Sequence, residues 1–261
     1  MRDKRINMLV YALLSVILVF GIVNRAGAVI DQASLVGAWL FDEDSGKFAH
    51  DSSKNGNDAE FQGDPQWVDG KFGKALRFNG STDYVAAPDS ESLDIGGDQL
   101  SLIAWINGES WATNHVIRKV ADGDTTAVYM LRIQAQKIHI ILNTGGADEA
   151  LDSATSPPLN EWVHVAMVYD GAEVRVYLNG ALDGSKPQSG EVRQSDTELR
   201  IGRGEPAGYF AGAIDEAAVF ASALTEEDIQ EIMNMGLGQI VLSVKPAGKL
   251  PATWAEIKTA Y

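Results

Sequence analysis

The sequence predicts an all-β protein, a sandwich of two antiparallel sheets with one short C-terminal helix. Three observations carry this. Short apolar runs with β-branched and aromatic residues recur along the chain, separated by Gly, Asn and Asp. One stretch near the end has helical spacing with a cap at each end. No fixed-period repeat is present, which argues against a propeller or solenoid.

The strand candidates follow in order: "SLVGAWLF", "KALRFNG", "DYVAAP", "LSLIAWI", "AVYMLRI", "KIHIILN", "EWVHVAMVYDG", "EVRVYLNG", "LRIGRG" and "YFAGAIDEAAVF". Asp170-Gly171 and Asn179-Gly180 fall where turns need positive φ, so "VAMVYDGAEVRVYLNG" is expected to form a hairpin. In its second arm Val174, Val176 and Leu178 alternate with Arg175 and Tyr177, the pattern of a strand with one buried face. The helix is expected over Thr225–Met235. Thr225 is its N-cap, Glu226, Glu227 and Asp228 complement the dipole, Ile229, Ile232 and Met233 form its apolar stripe, and Gly236 stops it. Leu224 can staple onto Ile229. Beyond it, a strand at Ile240–Val244 and a helical turn around Trp254–Lys258 are expected in a tail of unknown role, residues 237–261.

The chain has 261 residues, a net charge of −15 and no cysteine. Arg2, Lys4 and Arg5 precede an apolar stretch from Met8 to Val23, and Ala26-Gly27-Ala28 follows. This is the pattern of a secretory signal peptide over residues 1–28, cut after Ala28, with an uncleaved anchor as the alternative. Without those residues the net charge is −18. Such a field repels phosphate backbones and anionic membrane surfaces, so neither nucleic acid nor a membrane is an expected partner of the mature chain. The missing cysteine removes thiolate catalysis, zinc–thiolate sites and a lipidated cysteine anchor. A secreted chain without disulfides must rest on a sizeable core, on a metal, or on both.

An ordered series of segments then suggests a family: "WLFDEDSGK", "HDSSKNGNDAEF", "DGKFGKALRFNGSTDYVAAP", "LSLIAWIN", "NEWVHVAMVYDGAEVRVYLNGAL", "LRIGRG" and "YFAGAIDEAAVFASALTEEDIQEI". The chain resembles a bacterial laminin-G-like jelly roll of the concanavalin A-like lectin/glucanase superfamily, with the domain at residues 34–236. The resemblance implies a curved two-sheet jelly roll, usually a structural calcium, and most often a binding or adhesion role. Lys54 stands where the family usually has glycine, and Ala217 and Ala218 where bulkier residues are common.

Two acidic pairs interrupt apolar runs at opposite ends of the domain, Asp42-Glu43 and Asp215-Glu216. A carboxylate in an apolar strand is costly unless paired, hydrogen-bonded or metal-bound. First and last strands of a jelly roll can lie close together, and two facing acids need a cation or a raised pKa. Ca2+ takes six to eight oxygen ligands, and "HDSSKNGND" is rich in them. By resemblance to the family's metal site, Asp42, Asp51, Asn57 and Asp215 are the expected ligands, with one residue of each acidic pair facing the ion. The competing reading is that these acids merely solvate sheet edges.

Catalysis is not expected. Glucanases of the superfamily place Glu-x-Asp-x-(x)-Glu along a strand, and the spacing occurs here only at Glu226, Asp228 and Glu231, inside the helix, where such residues do not share a face. The four histidines are scattered, and no G-x-S-x-G elbow or phosphate-binding loop is present. The expected role is a secreted, non-catalytic module that binds carbohydrate or an extracellular protein. The alternatives are an adhesive protein without sugar recognition and, less favoured, a degenerate glycoside hydrolase. Trp111 and Tyr209 are the loop aromatics that a glycan site would use, while Trp39, Trp105 and Trp162 are expected in the core. "LPATW" at Leu250–Trp254 lacks the glycine of a sortase signal, which excludes wall anchoring by that route.

Overall fold

A computed structural model describes residues 30–120, 127–145, 149–204 and 208–242. The signal-peptide expectation, "LPATW" and the helical turn near Trp254 lie outside the described residues.

Sixteen strands and two α-helices are present among them. The strands are β1 (Leu35–Trp39), β2 (Phe48–Ala49), β3 (Ala59–Gln62), β4 (Gln66–Asp69), β5 (Lys74–Asn79) and β6 (Tyr84–Ala87). Then come β7 (Leu100–Gly108), β8 (Asn114–Val120), β9 (Ala127–Gln134), β10 (Lys137–Leu142) and β11 (Glu149–Asp152). The series closes with β12 (Val163–Tyr169), β13 (Glu173–Leu178), β14 (Ala181–Pro187), β15 (Leu199–Ile201) and β16 (Ala211–Phe220). Helices α1 (Glu226–Met235) and α2 (Leu237–Leu242) follow.

The first sheet runs β14-β13-β12-β7-β16-β5-β4, with β1 also paired to β16. The second runs β11-β10-β9-β8-β15-β6-β3-β2. All pairings are antiparallel. The expected hairpin is β12–β13, in register from Val165↔Leu178 to Tyr169↔Val174. Between the sheets lies the main core, which includes Trp39, Phe41, Phe78, Leu102, Tyr129, Leu131, Val165 and Val219.

A second apolar layer covers the other face of the first sheet. Ala38, Ile103, Ala166, Tyr177, Ala218 and Phe220 pack there against Ile229, Ile232, Leu237 and Ile240 of the helices. This explains the small residues of β16. Ala217 faces the main core and Ala218 lies under the helices, so a bulkier side chain at Ala218 would meet the helical layer. It also explains why Tyr177, expected on a solvated face, is buried.

Helix α1 has the expected caps. Thr225 accepts from the Asp228 N–H, Asp228 returns the bond to the Thr225 N–H, and the Gly236 N–H closes onto the Ile232 carbonyl. The region after it differs from expectation: the segment at Ile240 is helix α2 rather than a strand, giving two helices instead of one. Its β-branched residues favour a strand in isolation, but Leu237 and Ile240, three apart, bury one helical face against the sheet. Trp162 is partly exposed rather than buried in the core. Trp105 is buried, but outside the main core, edge-on to Phe72 and His164.

Candidate functional site

The acids of β16 occupy a handover point in the first sheet. The strand pairs with β5 through Ala211–Ile214 and with β1 through Ala217–Phe220, and its register against β7 shifts between Asp215 and Ala218. Glu216 takes φ +48° at this bulge. The break lets both neighbours find backbone donors. Asp215 Oδ2 accepts from the N–H groups of Lys71 (2.8 Å) and Phe72 (3.0 Å). Glu216 Oε2 accepts from Leu237 N–H at 2.8 Å, fastening the start of α2 to the sheet.

Asp42 reaches the same 70–74 turn from the end of β1, and its Oδ1 accepts from the Lys74 N–H at 2.7 Å. Gly73, at φ +52°, leaves the space Asp42 needs, since a Cβ there would collide with the carboxylate. No lysine or arginine pairs with Asp42, Asp215 or Glu216 among the described residues; Lys74 goes to Asp44 and Asp69. Asp215 is fully buried and its Oδ1 has no hydrogen-bond partner. Burial, followed by the neighbouring charges of Glu216 and Asp42, pushes its pKa up to about 8, against the donations from Phe72 and Lys71. Burial likewise raises Glu216. Glu43 Oε2 is also buried without a partner.

Asp51 and Asn57 belong to a separate hydrogen-bonded knot. Asp51 Oδ1 accepts from Ala38 N–H (2.9 Å) and Ser53 N–H (2.8 Å), and Oδ2 from Ser53 Oγ–H (2.7 Å) and Asn57 N–H (2.9 Å). Asn57 donates to the Val36 carbonyl and accepts from Ser90. Their polar atoms therefore tie the 51–57 loop to β1, leaving Asp51 no oxygen without a protein donor. Of the four expected ligands, the structure brings Asp42 and Asp215 to one turn and sets Asp51 and Asn57 to this other task. The donor set at the turn, carboxylate oxygens with one buried oxygen unpartnered, fits a hard oxygen-seeking cation and not a sulfur- or nitrogen-preferring metal.

A tighter acidic trio lies elsewhere. Asp89, Asp94 and Asp196 bring oxygens within 4.8 Å of one another. The buried Lys119 ammonium already serves it, 2.7 Å from Asp89 Oδ1, 3.2 Å from Asp94 Oδ1 and 2.8 Å from the Thr197 carbonyl. This cluster carries its own cation.

The aromatic candidates also separate. Trp111 is partly buried and packs against the main core. Tyr209 instead lines a surface cleft of about 450 Å³ with Ser110, Thr113 and Asn114, floored by Gly80 and Ala211. The buried Asn114 braces this cleft, donating to the Ser110 and Ala112 carbonyls and accepting from the Ala211 N–H at 3.0 Å. The Arg203 guanidinium sits 5.3 Å from the Tyr209 ring centre and 4.8 Å from that of Tyr84, holding Tyr209 from one side.

The glucanase spacing has no strand to occupy. Glu226, Asp228 and Glu231 all fall in α1, where Asp228 forms the capping box. His139 Nδ1 lies 2.6 Å from Asp152 Oδ1. His164 is buried, and desolvation pushes its pKa down to about 3.

This architecture of two packed antiparallel sheets is that of a jelly-roll sandwich. A laminin-G family model, described as the concanavalin A-like lectin/glucanases superfamily, matches residues 79–230, and the chain belongs to this superfamily. Among solved structures it is similar to domain 4 of AbnA, a GH43 extracellular arabinanase from Geobacillus stearothermophilus, in complex with arabinotriose. That match has TM-score 0.63 and 21% identity over 77% of this chain and 98% of the other. The binding domain of Paraclostridial Mosquitocidal Protein 1 matches with TM-score 0.65 and 14% identity, covering 78% of this chain and 52% of that one. The receptor binding domain of a botulinum neurotoxin C/D mosaic serotype gives TM-score 0.61 and 17% identity, over 78% and 52%. The chain thus spans about half of the two toxin domains. At these identities the likeness is one of fold. No curated protein matches the chain in sequence.

Proposed function

We propose that the chain is a secreted, non-catalytic binding module that takes an extracellular glycan in the cleft beside Tyr209. The observation that carries this is the cleft itself: an aromatic ring fixed by a stacked guanidinium, next to polar groups held in place by the buried Asn114. Small-ligand sites combine an apolar or aromatic wall with a few fixed polar groups in this way. The arabinotriose complex of the arabinanase domain supports the ligand class. The absence of the glucanase triad from any described strand supports the non-catalytic reading. Residues 1–28 support export.

The same proposal includes a calcium ion held by Asp42 and Asp215, whose role is to neutralise buried carboxylates and fasten the β1 end, the 70–74 turn and β16 to one another. Asp51 and Asn57 leave the ligand set, because their atoms are engaged in the loop knot.

A glycan array run with calcium and with chelator tests the binding reading, with saturable binding to a defined set of sugars as the expected result. Tyr209→Ala is expected to weaken that binding about tenfold or more in titration calorimetry, with little change in melting temperature. A flat array, or full affinity in Tyr209→Ala, would overturn the cleft assignment. The botulinum domain solved with rat synaptotagmin II supports a protein partner as the second reading, which a flat array would favour.

A further inference from the structure

The outer face of the second sheet gathers three arginines on neighbouring strands of a strongly acidic chain, with Glu60, Asp152 and Glu198 on the same face. On β8, β9, β10 and β15 the apolar residues Val116, Ile117, Leu131, Ile133, Ile138, Ile140, Leu199 and Ile201 enter the main core. A register shift between His115 and Ile117 sends both Val116 and Ile117 inward, so His115 and Arg118 face outward. Cross-strand pairing then aligns arginines and histidines on that outer face. Arg200 lies opposite Arg118, while His115, Arg132 and His139 follow one another across β8, β9 and β10.

Like charges opposed across strands are destabilising. This face nevertheless gathers Arg118, Arg132 and Arg200 on three adjacent strands of a chain whose net charge is −15. Internal anions answer part of it: Asp152 takes His139 at 2.6 Å, and Glu198 takes Arg200 at 2.6 Å. Arg132 is different. Its Nε is buried without an acceptor, and no carboxylate among the described residues pairs with its guanidinium, although the side chain is partly exposed. Burial, then the charge of Arg118, lowers its pKa, against the opposing charge of Asp152. Next to it His115 is buried with Nδ1 unpartnered. Burial first, then Arg118, Arg132 and His139, drive the His115 pKa down to about 3. The His115 imidazole therefore stays neutral at ordinary pH and adds no charge to the arginines beside it.

The row is contiguous with the Tyr209 cleft. Gly208, which lines the cleft, sits against the His115 ring, and its carbonyl accepts from the His115 N–H at 3.1 Å. Arg203 stands between the rings of Tyr84 and Tyr209, and Arg200 lies 6.0 Å from the Tyr84 ring. An aromatic platform for a sugar face thus adjoins guanidinium forks, which match carboxylate and sulfate oxygens.

We infer that this module recognises an acidic glycan, its sugar ring against Tyr209 and its carboxylate or sulfate group on Arg132, with Arg200 two strands away on the same face. The inference rests on the glycan-binding reading above and adds the charge of the ligand.

The test is titration calorimetry of the purified protein with polygalacturonate, dextran sulfate and neutral dextran at 50 and 200 mM NaCl. Either polyanion is expected to bind at least about tenfold more tightly than dextran, with affinity falling as salt rises. Arg132→Gln is expected to lose about tenfold or more of that affinity, and Arg132→Lys to recover part of it, with melting temperatures close to wild type. Preference for polygalacturonate over dextran sulfate identifies the carboxylate, and the reverse identifies the sulfate. Polyanion affinity equal to that for dextran overturns the inference, as does full polyanion affinity in both Arg132→Gln and Arg200→Gln. Neutral sugars bound on the array through Tyr209, without regard to charge, overturn the inference alone. Absence of all glycan binding overturns the glycan reading as well.

Discussion

Asp215→Ala is expected to destabilise the domain far more in calcium than in chelator. In chelator the substitution strands the Lys71 and Phe72 N–H groups, which lose their shared acceptor. That loss is offset in part because a desolvated carboxylate disappears, leaving a cost of about 2 kcal/mol. Calcium at a hundredfold excess over its dissociation constant would stabilise the wild type by about 2.7 kcal/mol more, which the variant cannot gain. The calcium-loaded difference is then roughly 9–19 °C in melting temperature, at roughly 2–4 °C per kcal/mol. Asp215→Asn separates the two effects, since it keeps an acceptor but not the charge. It should melt close to wild type in chelator and show no response to calcium.

The pH dependence has a definite sign. The folded-state pKa of about 8 lies above the ordinary value of 3.8, so the folded protein holds a proton that the unfolded chain has released across that window. Stability without metal is therefore fullest below pH 3.8 with respect to this group, and is lost as pH rises through about 8. Glu216 adds to the same trend, because burial raises it too. Calcium requires the ionised form, so its stabilising effect grows over the same window. Melting curves at pH 5, 7 and 9, with calcium and with chelator, check this. Superimposable curves with and without calcium would remove calcium from the site.

Asp51→Ala is the second large effect and is expected to be independent of calcium. Four donors lose their acceptor at once: the N–H groups of Ala38, Ser53 and Asn57 and the Ser53 hydroxyl. Hydrogen bonds to a charged acceptor contribute about 1.5–3 kcal/mol each, and water reaches part of this half-buried knot, so a net cost of about 3 kcal/mol is expected. This corresponds to a fall of roughly 6–12 °C, the same in calcium and in chelator. A deficit that appears only in calcium would return Asp51 to the ligand set.

The strands that were legible in the sequence are those whose own residues carry period two or a continuous apolar run. β7, β12 and β16 are central strands built from such runs. Helix α1 was legible because Thr225, Asp228 and Gly236 supply local caps that need no tertiary partner. β8 was not. Its sequence, "NHVIRKV", combines a bulge that breaks the alternation with charged side chains that bury only between β15 and β9. Exposed β14 carries a glycine and little apolar surface, so only its pairing with β13 makes it a strand.

By itself, the sequence determined a two-sheet antiparallel sandwich, and it marked Asp42 and Asp215 as acids out of place in apolar runs, because alternation, turn residues and caps act over a few neighbours. Tertiary structure decided which of those acids share a turn. Asp42 and Asp215 both reach the 70–74 turn because β16 passes from β5 to β1 at a bulge, while Asp51 and Asn57 close a local loop. It also decided that Tyr209 rather than Trp111 faces a cleft, and that arginines from β8, β9 and β15 share one face. These juxtapositions depend on strand order and register, which long-range hydrogen bonding sets and which no local stretch of residues encodes.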